Sequence, residues 1–357
     1  MGELNLKDLT LPRLTEAVLA HGGNELGARK LFARVFDHGV RSLEELRGTP
    51  HVARDVMAWL QAEGELPELE IVERRRAEDG FVKYLFRSPL GGEFEAVRIP
   101  LFDTKYVLCV SSQVGCALAC DFCATGRMGF QRNLQTWEIL DQILRVRAEA
   151  DRRIDGVVFM GMGEPLLNLD RVLAAAEVIM NPAGCAISGR AITLSTAGVV
   201  PGIHRLIDLD LPYRLAFSVT SAIPEKRGRV MPIEKTHPLP ELIDAIRRYT
   251  AVREERAMVA YVAIRGFNTG LEDAQALAAA FEGIPLKIDL IDVTDPTGRY
   301  LPPTPEELSE FRNHLQLLRC PIARRYSGGK EIGAACGTLA ATRSGGKLVE
   351  LSAAPRR

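Results

Sequence analysis

Residues 109–126 read CVSSQVGCALACDFCATG, which places four of the chain's seven cysteines within fifteen residues. Three of them, Cys116, Cys120 and Cys123, have the spacing C-x3-C-x2-C, and Cys109 stands just outside the set. Three thiols are an incomplete ligand shell. A structural zinc site takes four ligands, and a cubane cluster with a full cysteine shell also takes four. Three thiolates holding three irons of a cubane would leave the fourth iron open to a substrate-like ligand. His204 or His237 could instead complete a zinc set, but neither lies in a motif-like pairing.

Composition narrows the setting for this cluster of thiols. The chain has 357 residues, 46% hydrophobic and 25% charged, as expected of a globular protein with more than one domain. A net charge of -1 argues against a basic coat that binds nucleic acid nonspecifically, while leaving room for a local basic cleft. The opening MGELNLKDLTLPRLTEA has no basic stretch followed by an apolar one, and no apolar run approaches the roughly 18 residues of a membrane span. The expectation is a cytoplasmic protein without a membrane segment. There thiols stay reduced, and crowded cysteines favour metal or redox chemistry.

Downstream of the cysteines, apolar strands alternate with helices. IDGVVFMGMGEP, GRAITLSTAG, PYRLAFSVTS, ERAMVAYVAIRG, PLKIDLIDVT and CPIARRYS read as strands. TWEILDQILRVRAEA, DRVLAAAEVIMN, PLPELIDAIRRYTA and LEDAQALAAAFEG read as the intervening helices. Such alternation implies an α/β fold on a parallel sheet, open or curled into a barrel, with ligands gathered at the carboxyl ends of the strands. Upstream, residues 69–108 alternate like a β-rich connector, and residues 1–68 read as a small helical domain. Arg29, Lys30, Arg34 and Arg41 of that domain could meet a polyanion or simply form a solvated face. The core would run over 109–341, followed by a loosely held tail, 342–357.

The triple-cysteine spacing resembles the signature of radical S-adenosyl-L-methionine (SAM) enzymes. The longer string LCVSSQVGCALACDFCATGRMGFQRNL resembles one branch, the RlmN/Cfr-type RNA methyltransferases, as do GMGEPLLN, ITLSTAGVVPGI and GKEIGAACGTLA. The resemblance implies a partial (β/α)6 radical-SAM barrel. It implies a 4Fe-4S cluster on Cys116, Cys120 and Cys123 whose open iron is chelated by SAM. Phe122 would either shield that cluster or serve as core. Gly163 and Glu164 would meet the methionine part of SAM, with Ser195 and Ser218 as further contacts at strand ends. Two places depart from the family. Ser218-Val219-Thr220 replaces the usual Ser-Leu-His, and DLIDVTDP puts Thr294 opposite the usual Asn and Asp295 where Pro would be. Thr keeps one donor and one acceptor but loses the two-sided pairing of a carboxamide.

The same resemblance gives Cys336 the role of a nucleophile that becomes S-methylcysteine, and Cys109 that of a resolving thiol in a transient disulfide with it. Glu95 matches the proton acceptor, with one extra residue between it and Cys109, and Glu93 is its nearest competitor. Cys185 and Cys320 lie in no motif and read as structural. The implied reaction is methylation of an adenine ring carbon, C2 or else C8, in ribosomal RNA, with transfer RNA as an additional substrate, by a monomer fed electrons by a flavodoxin or ferredoxin. Arg127 and Arg132 could help to hold the RNA. Two competing readings are a radical SAM enzyme acting on a peptide or small metabolite, and a zinc-stabilised RNA-binding module. The Cys109/Cys336 pair separates them, because simple hydrogen abstraction has no need of it.

Overall fold

The computed structural model describes residues 4–102 and 104–341. The tail at 342–357 lies outside the described residues. Ten strands form one sheet whose spatial order follows chain order: β1 (Glu70–Arg76), β2 (Val82–Arg87), β3 (Glu93–Leu101), β4 (Lys105–Cys109), β5 (Arg153–Phe159), β6 (Ile192–Thr196), β7 (Arg214–Ser218), β8 (Ala257–Ala263), β9 (Leu286–Asp292) and β10 (Ile322–Arg324). The first three join antiparallel, and β3 pairs antiparallel with β4. From β4 onward every neighbouring pair is parallel. The connector at 69–108 thus extends the core sheet, and its last residues already belong to the first parallel strand.

Parallel neighbours require crossover connections, and helices supply them. The helices of the described chain are α1 (Leu11–Ala20), α2 (Glu25–Phe36), α3 (Arg54–Glu63), α4 (Ala124–Met128), α5 (Thr136–Glu149), α6 (Leu169–Met180), α7 (Val200–Asp208), α8 (Pro224–Val230), α9 (Leu239–Arg253), α10 (Leu271–Ala280) and α11 (Pro305–His314). The sequence pattern anticipates α5, α6, α9 and α10. It passes over α7, α8 and α11, which like the anticipated α9 carry proline in the first turn. Proline reads as a breaker, yet in the first helical turn its missing N–H costs nothing.

The sheet curls. Arg325, just past β10, puts Nη1 3.3 Å from the sulfur of Met160, just past β5, although four strands intervene. The N-terminal helices are pinned to the core by a buried ion pair, Lys7 Nζ to Asp141 Oδ1 at 2.7 Å, with side chains only 2% and 1% exposed. Asp141 Oδ2 also accepts from the Leu69 amide (2.7 Å), and Lys7 Nζ donates to the Pro67 carbonyl (2.8 Å). Among the described residues no helix is long and apolar enough to cross a membrane.

Candidate active site

The strand ends and the cysteine loop enclose a cavity of about 910 Å³, counting its open mouth. Cys116, Cys120, Cys123 and Phe122 line one side of it. The loop that carries them is fixed by its backbone. Cys116 N donates to the Gly129 carbonyl (3.0 Å), Cys123 N to Cys120 (3.1 Å) and Asp121 N to Val230 (2.9 Å). Burial pushes the Cys116 thiol up to about 12 and the Cys120 thiol well above its ordinary range, and each is pushed further by the neighbouring cysteines. A bound cation reverses that preference, because a coordinating thiol is deprotonated. Among the described residues no three His, Cys, Asp or Glu side chains form a group suited to a single metal ion. Three thiols spread around one cavity fit a cluster that offers each its own iron. His204 lies on α7, where its ring contacts Arg248 (3.1 Å), and neither it nor His237 lines the cavity.

The opposite wall holds Gly163, Glu164, Ser195 and Ser218. Gly163 has a φ of +101°, and a Cβ there would come within 2.5 Å of the Gln113 side chain. Glycine is what lets the turn after β5 close onto that residue. Gln113 Oε1 then accepts from the Glu164 amide (2.9 Å). Burial raises the Glu164 carboxyl to about 7, even though its oxygens accept from Ala197 N (2.9 Å) and Leu166 N (3.1 Å). A ligand ammonium would favour the ionised form and find free lone pairs on it.

Val219, Thr220 and Thr294 are not on this lining. Val219 and Thr220 are fully buried. Successive residues of an extended chain point opposite ways, so with Ser218 facing in, Val219 turns away. The Thr220 carbonyl accepts from Asn268 Nδ2 (2.6 Å), and the hydroxyls of Thr220 and Thr294 are buried without a partner.

The second departure from the family pattern has a clear partner. Asp295 forms a two-pronged ion pair with Arg127 (2.5 and 3.2 Å), four residues beyond Cys123. Burial opposes ionisation of Asp295, but Arg127 and Thr297 together hold its carboxyl down at about 2. In the same loop Arg299 pairs with Asp121 (2.7 Å), and Tyr300 Oη donates to it (2.5 Å). Residues 295–300 therefore clasp the cysteine loop. Arg127 is committed to this clasp, and Arg132 to Glu138 (2.7 Å) and the Gly91 carbonyl (2.6 Å). Both arginines, expected to help hold RNA, are engaged in internal ion pairs.

A second cavity, about 720 Å³, adjoins the first and shares Cys123, Met160, Gly161, Arg325, Cys336 and Gly337 with it. Cys109 lines it beside its cross-strand neighbours Val97 and Val158. Cys336 lies on the same cavity and is exposed. Burial pushes the Cys109 thiol up to about 12, with Cys336 adding to the rise and Arg325 opposing it. All seven cysteines are free thiols. The segment carrying Cys336 is tied down where Ala124 N donates to the Gly337 carbonyl (2.8 Å) and Thr125 Oγ1 to that of Leu339 (2.6 Å).

Glu95 sits behind this cavity rather than on it. It is completely buried, 3.0 Å from Lys83 Nζ, and accepts from the Ala340 amide at 3.0 Å. Val97 and Ile99, two and four residues along the same strand face, do reach the lining. Glu93 pairs with Arg87 at the surface (2.9 Å). Sequence reasoning missed Lys83, Gln113 and Arg325. Arg325 had a usable signal, a charge at the carboxyl end of an otherwise apolar strand.

Residues 110–278 match the Radical SAM superfamily. A Myxococcus xanthus protein named "Probable RNA methyltransferase" is 67% identical, with 97% of each chain covered. A "Dual-specificity RNA methyltransferase RlmN" of Syntrophobacter fumaroxidans is 42% identical over 94% of this chain and 98% of its own. The crystal structure of a radical SAM methyltransferase from Sphaerobacter thermophilus superposes with a TM-score of 0.88 at 33% identity, covering 95% of this chain and 100% of that one. With its thiol-lined cavity at the carboxyl ends of a curled parallel sheet, the chain belongs to the RlmN-type family of radical SAM methyltransferases.

Proposed function

We propose that the chain methylates an adenine ring carbon, C2, of ribosomal RNA, and of transfer RNA as a second substrate, through an S-methylcysteine at Cys336. The reading rests on one observation above all: the cavity of Cys116, Cys120 and Cys123 opens into the cavity of Cys109 and Cys336. An enzyme that only abstracted hydrogen from a bound substrate would have no use for the second pair.

Cys116, Cys120 and Cys123 would hold the 4Fe-4S cluster, while Gly163, Glu164, Ser195 and Ser218 would hold SAM. When bound, cluster and SAM would supply one-electron reduction and hydrogen-atom abstraction. The exposed Cys336, as thiolate, takes a methyl group from SAM by displacement. That methyl carbon, once it has lost a hydrogen atom, bonds to the adenine carbon, which is not nucleophilic enough for direct polar transfer. Once the ring has lost its proton, its odd electron would pass back to the reductant that supplied it. Cys109, as thiolate, would then attack the sulfur of Cys336 and break its bond to the transferred carbon, which takes up a proton as a methyl group and frees the RNA. An external thiol reductant would reopen the resulting disulfide. Glu95 accepts the proton from the adenine carbon. Its burial behind Ala340 means that the 336–340 turn must shift for this step. Lys83 keeps the carboxylate paired until then. On this reading the protein works in the cytoplasm as a monomer, with a flavodoxin or ferredoxin as electron donor.

Nucleoside mass spectrometry of RNA from cells with and without the gene tests the proposal. The expected product is 2-methyladenosine, found only when the gene is present. 8-Methyladenosine would move the reaction to the other carbon, and no RNA product would overturn the reading in favour of a peptide or metabolite substrate. Cys109→Ala should accumulate a covalent RNA–protein adduct. Normal turnover without an adduct would remove the resolving role.

A further inference from the structure

Tyr326 is an exposed aromatic residue in a built setting. It lines the Cys109/Cys336 cavity, yet the residue is 72% exposed. Exposed tyrosines usually turn freely; this one is held from several sides. Its hydroxyl donates to Asp79 Oδ2 (2.9 Å), and the same oxygen accepts from the Gly329 amide (2.9 Å). Phe81 stands edge-on to the ring, with centroids 6.2 Å apart at 68°. Gly328 makes the assembly fit. A Cβ there would come within 2.4 Å of the Phe81 ring, 2.5 Å of Asp79 Oδ2 and 2.7 Å of the Tyr326 ring. The neighbouring residue, Arg325, adds a positive charge to the same lining.

A ring fixed at its edge and at its hydroxyl, with its remaining surface open over a cavity of reactive thiols, suits a flat aromatic ligand. Enzymes that act on a nucleobase take it out of the stack and commonly offer an aromatic side chain in exchange. We infer that Tyr326 is the stacking platform for the unpaired purine that enters the Cys109/Cys336 cavity. This rests on the RNA reading above and adds the residue that receives the base. Asp79, Phe81 and Gly328 position the ring.

The test uses the full-length protein and an RNA hairpin with a single 2-aminopurine in its loop, a fluorescent purine whose emission falls on stacking. Wild type should bind and quench it. Tyr326→Ala should weaken binding roughly 5- to 150-fold, the range for loss of one base–aromatic stack, and abolish quenching. Tyr326→Phe and Tyr326→Trp should restore both, since they keep a ring. If Tyr326→Ala binds and quenches like wild type, the proposal fails while the RNA reading stands. If Phe and Trp behave like Ala, the hydroxyl's tie to Asp79 is what matters, and the stacking role is wrong. If wild type itself neither binds nor quenches, the RNA reading and the stacking role fall together.

Discussion

Glu164 shows how one side chain ties pH to ligand binding. Burial raises its carboxyl to about 7 in the fold, from an ordinary value of about 4.5 in the unfolded chain. Between those values the folded protein holds a proton that the unfolded chain has released. The ligand-free protein therefore loses stability as pH rises through the window, by up to on the order of 3 kcal/mol from this group. Denaturant titrations at pH 5 and pH 8 should show that Glu164→Gln lacks this part of the slope. A ligand ammonium needs the ionised carboxylate, so SAM binding should weaken as pH falls below about 7, and calorimetry on Glu164→Gln should find that dependence gone. That Cys116, Cys120, Cys123 and the Gly163-Glu164 pair would meet at one cavity was legible in sequence, because their spacing within each motif is local. Thr220 and Thr294 were placed by alignment alone and lie off the lining; alignment gives a residue's place along the chain, whereas past a strand end the local backbone decides where its side chain goes.

At the level of elements, the 295–300 loop matters as much as the strands beside it. Asp295 is a fully buried carboxylate whose partner, Arg127, belongs to the cysteine loop. Removing one partner of such a pair leaves the other charge uncompensated, which costs about 3–5 kcal/mol. Asp295→Ala should show a loss of that order in denaturant unfolding, and anaerobically reconstituted variant should retain less iron than wild type. Stability drawn from this pair should persist above the ordinary carboxylate range and fade as pH falls toward about 2, because Asp295 is held low. A double exchange, Asp295→Arg with Arg127→Asp, should recover part of both losses. No sequence pattern announces this clasp, since its halves lie far apart in the chain. α11 carries a local signal that the strand–helix pattern passed over: Thr304 accepts from the Glu307 amide (3.2 Å), and Pro305 stands in its first turn. Thr304→Ala should cost about 1 kcal/mol in the same unfolding assay.

Across the whole molecule, the alternation of apolar strands and helices made the parallel sheet readable, and the Gly, Ser and Glu at strand ends marked the edge where the cavity lies. The sequence could not disclose that β1 to β3 continue the same sheet, or that the Cys336 segment folds back across it. Both depend on pairings between distant stretches. The anchoring of the N-terminal helices was equally hidden, because a lone lysine at position 7 looks like surface. Lys7→Ala leaves Asp141 buried without its partner and should destabilise the protein by about 3–5 kcal/mol. Limited proteolysis should then cut near residues 64–69 faster than in wild type, while equal cutting rates would show that the helices are held by apolar packing alone.

The strict agreement of spatial order with chain order has a consequence for biosynthesis. Strands can be added to the growing sheet as they leave the ribosome, each docking on the one before it. Cys109, Cys116, Cys120 and Cys123 emerge about two hundred residues ahead of Cys336. A nascent or prematurely ended chain can thus present the thiols of the first cavity, but only one that has grown past residue 336 brings Cys336 to them.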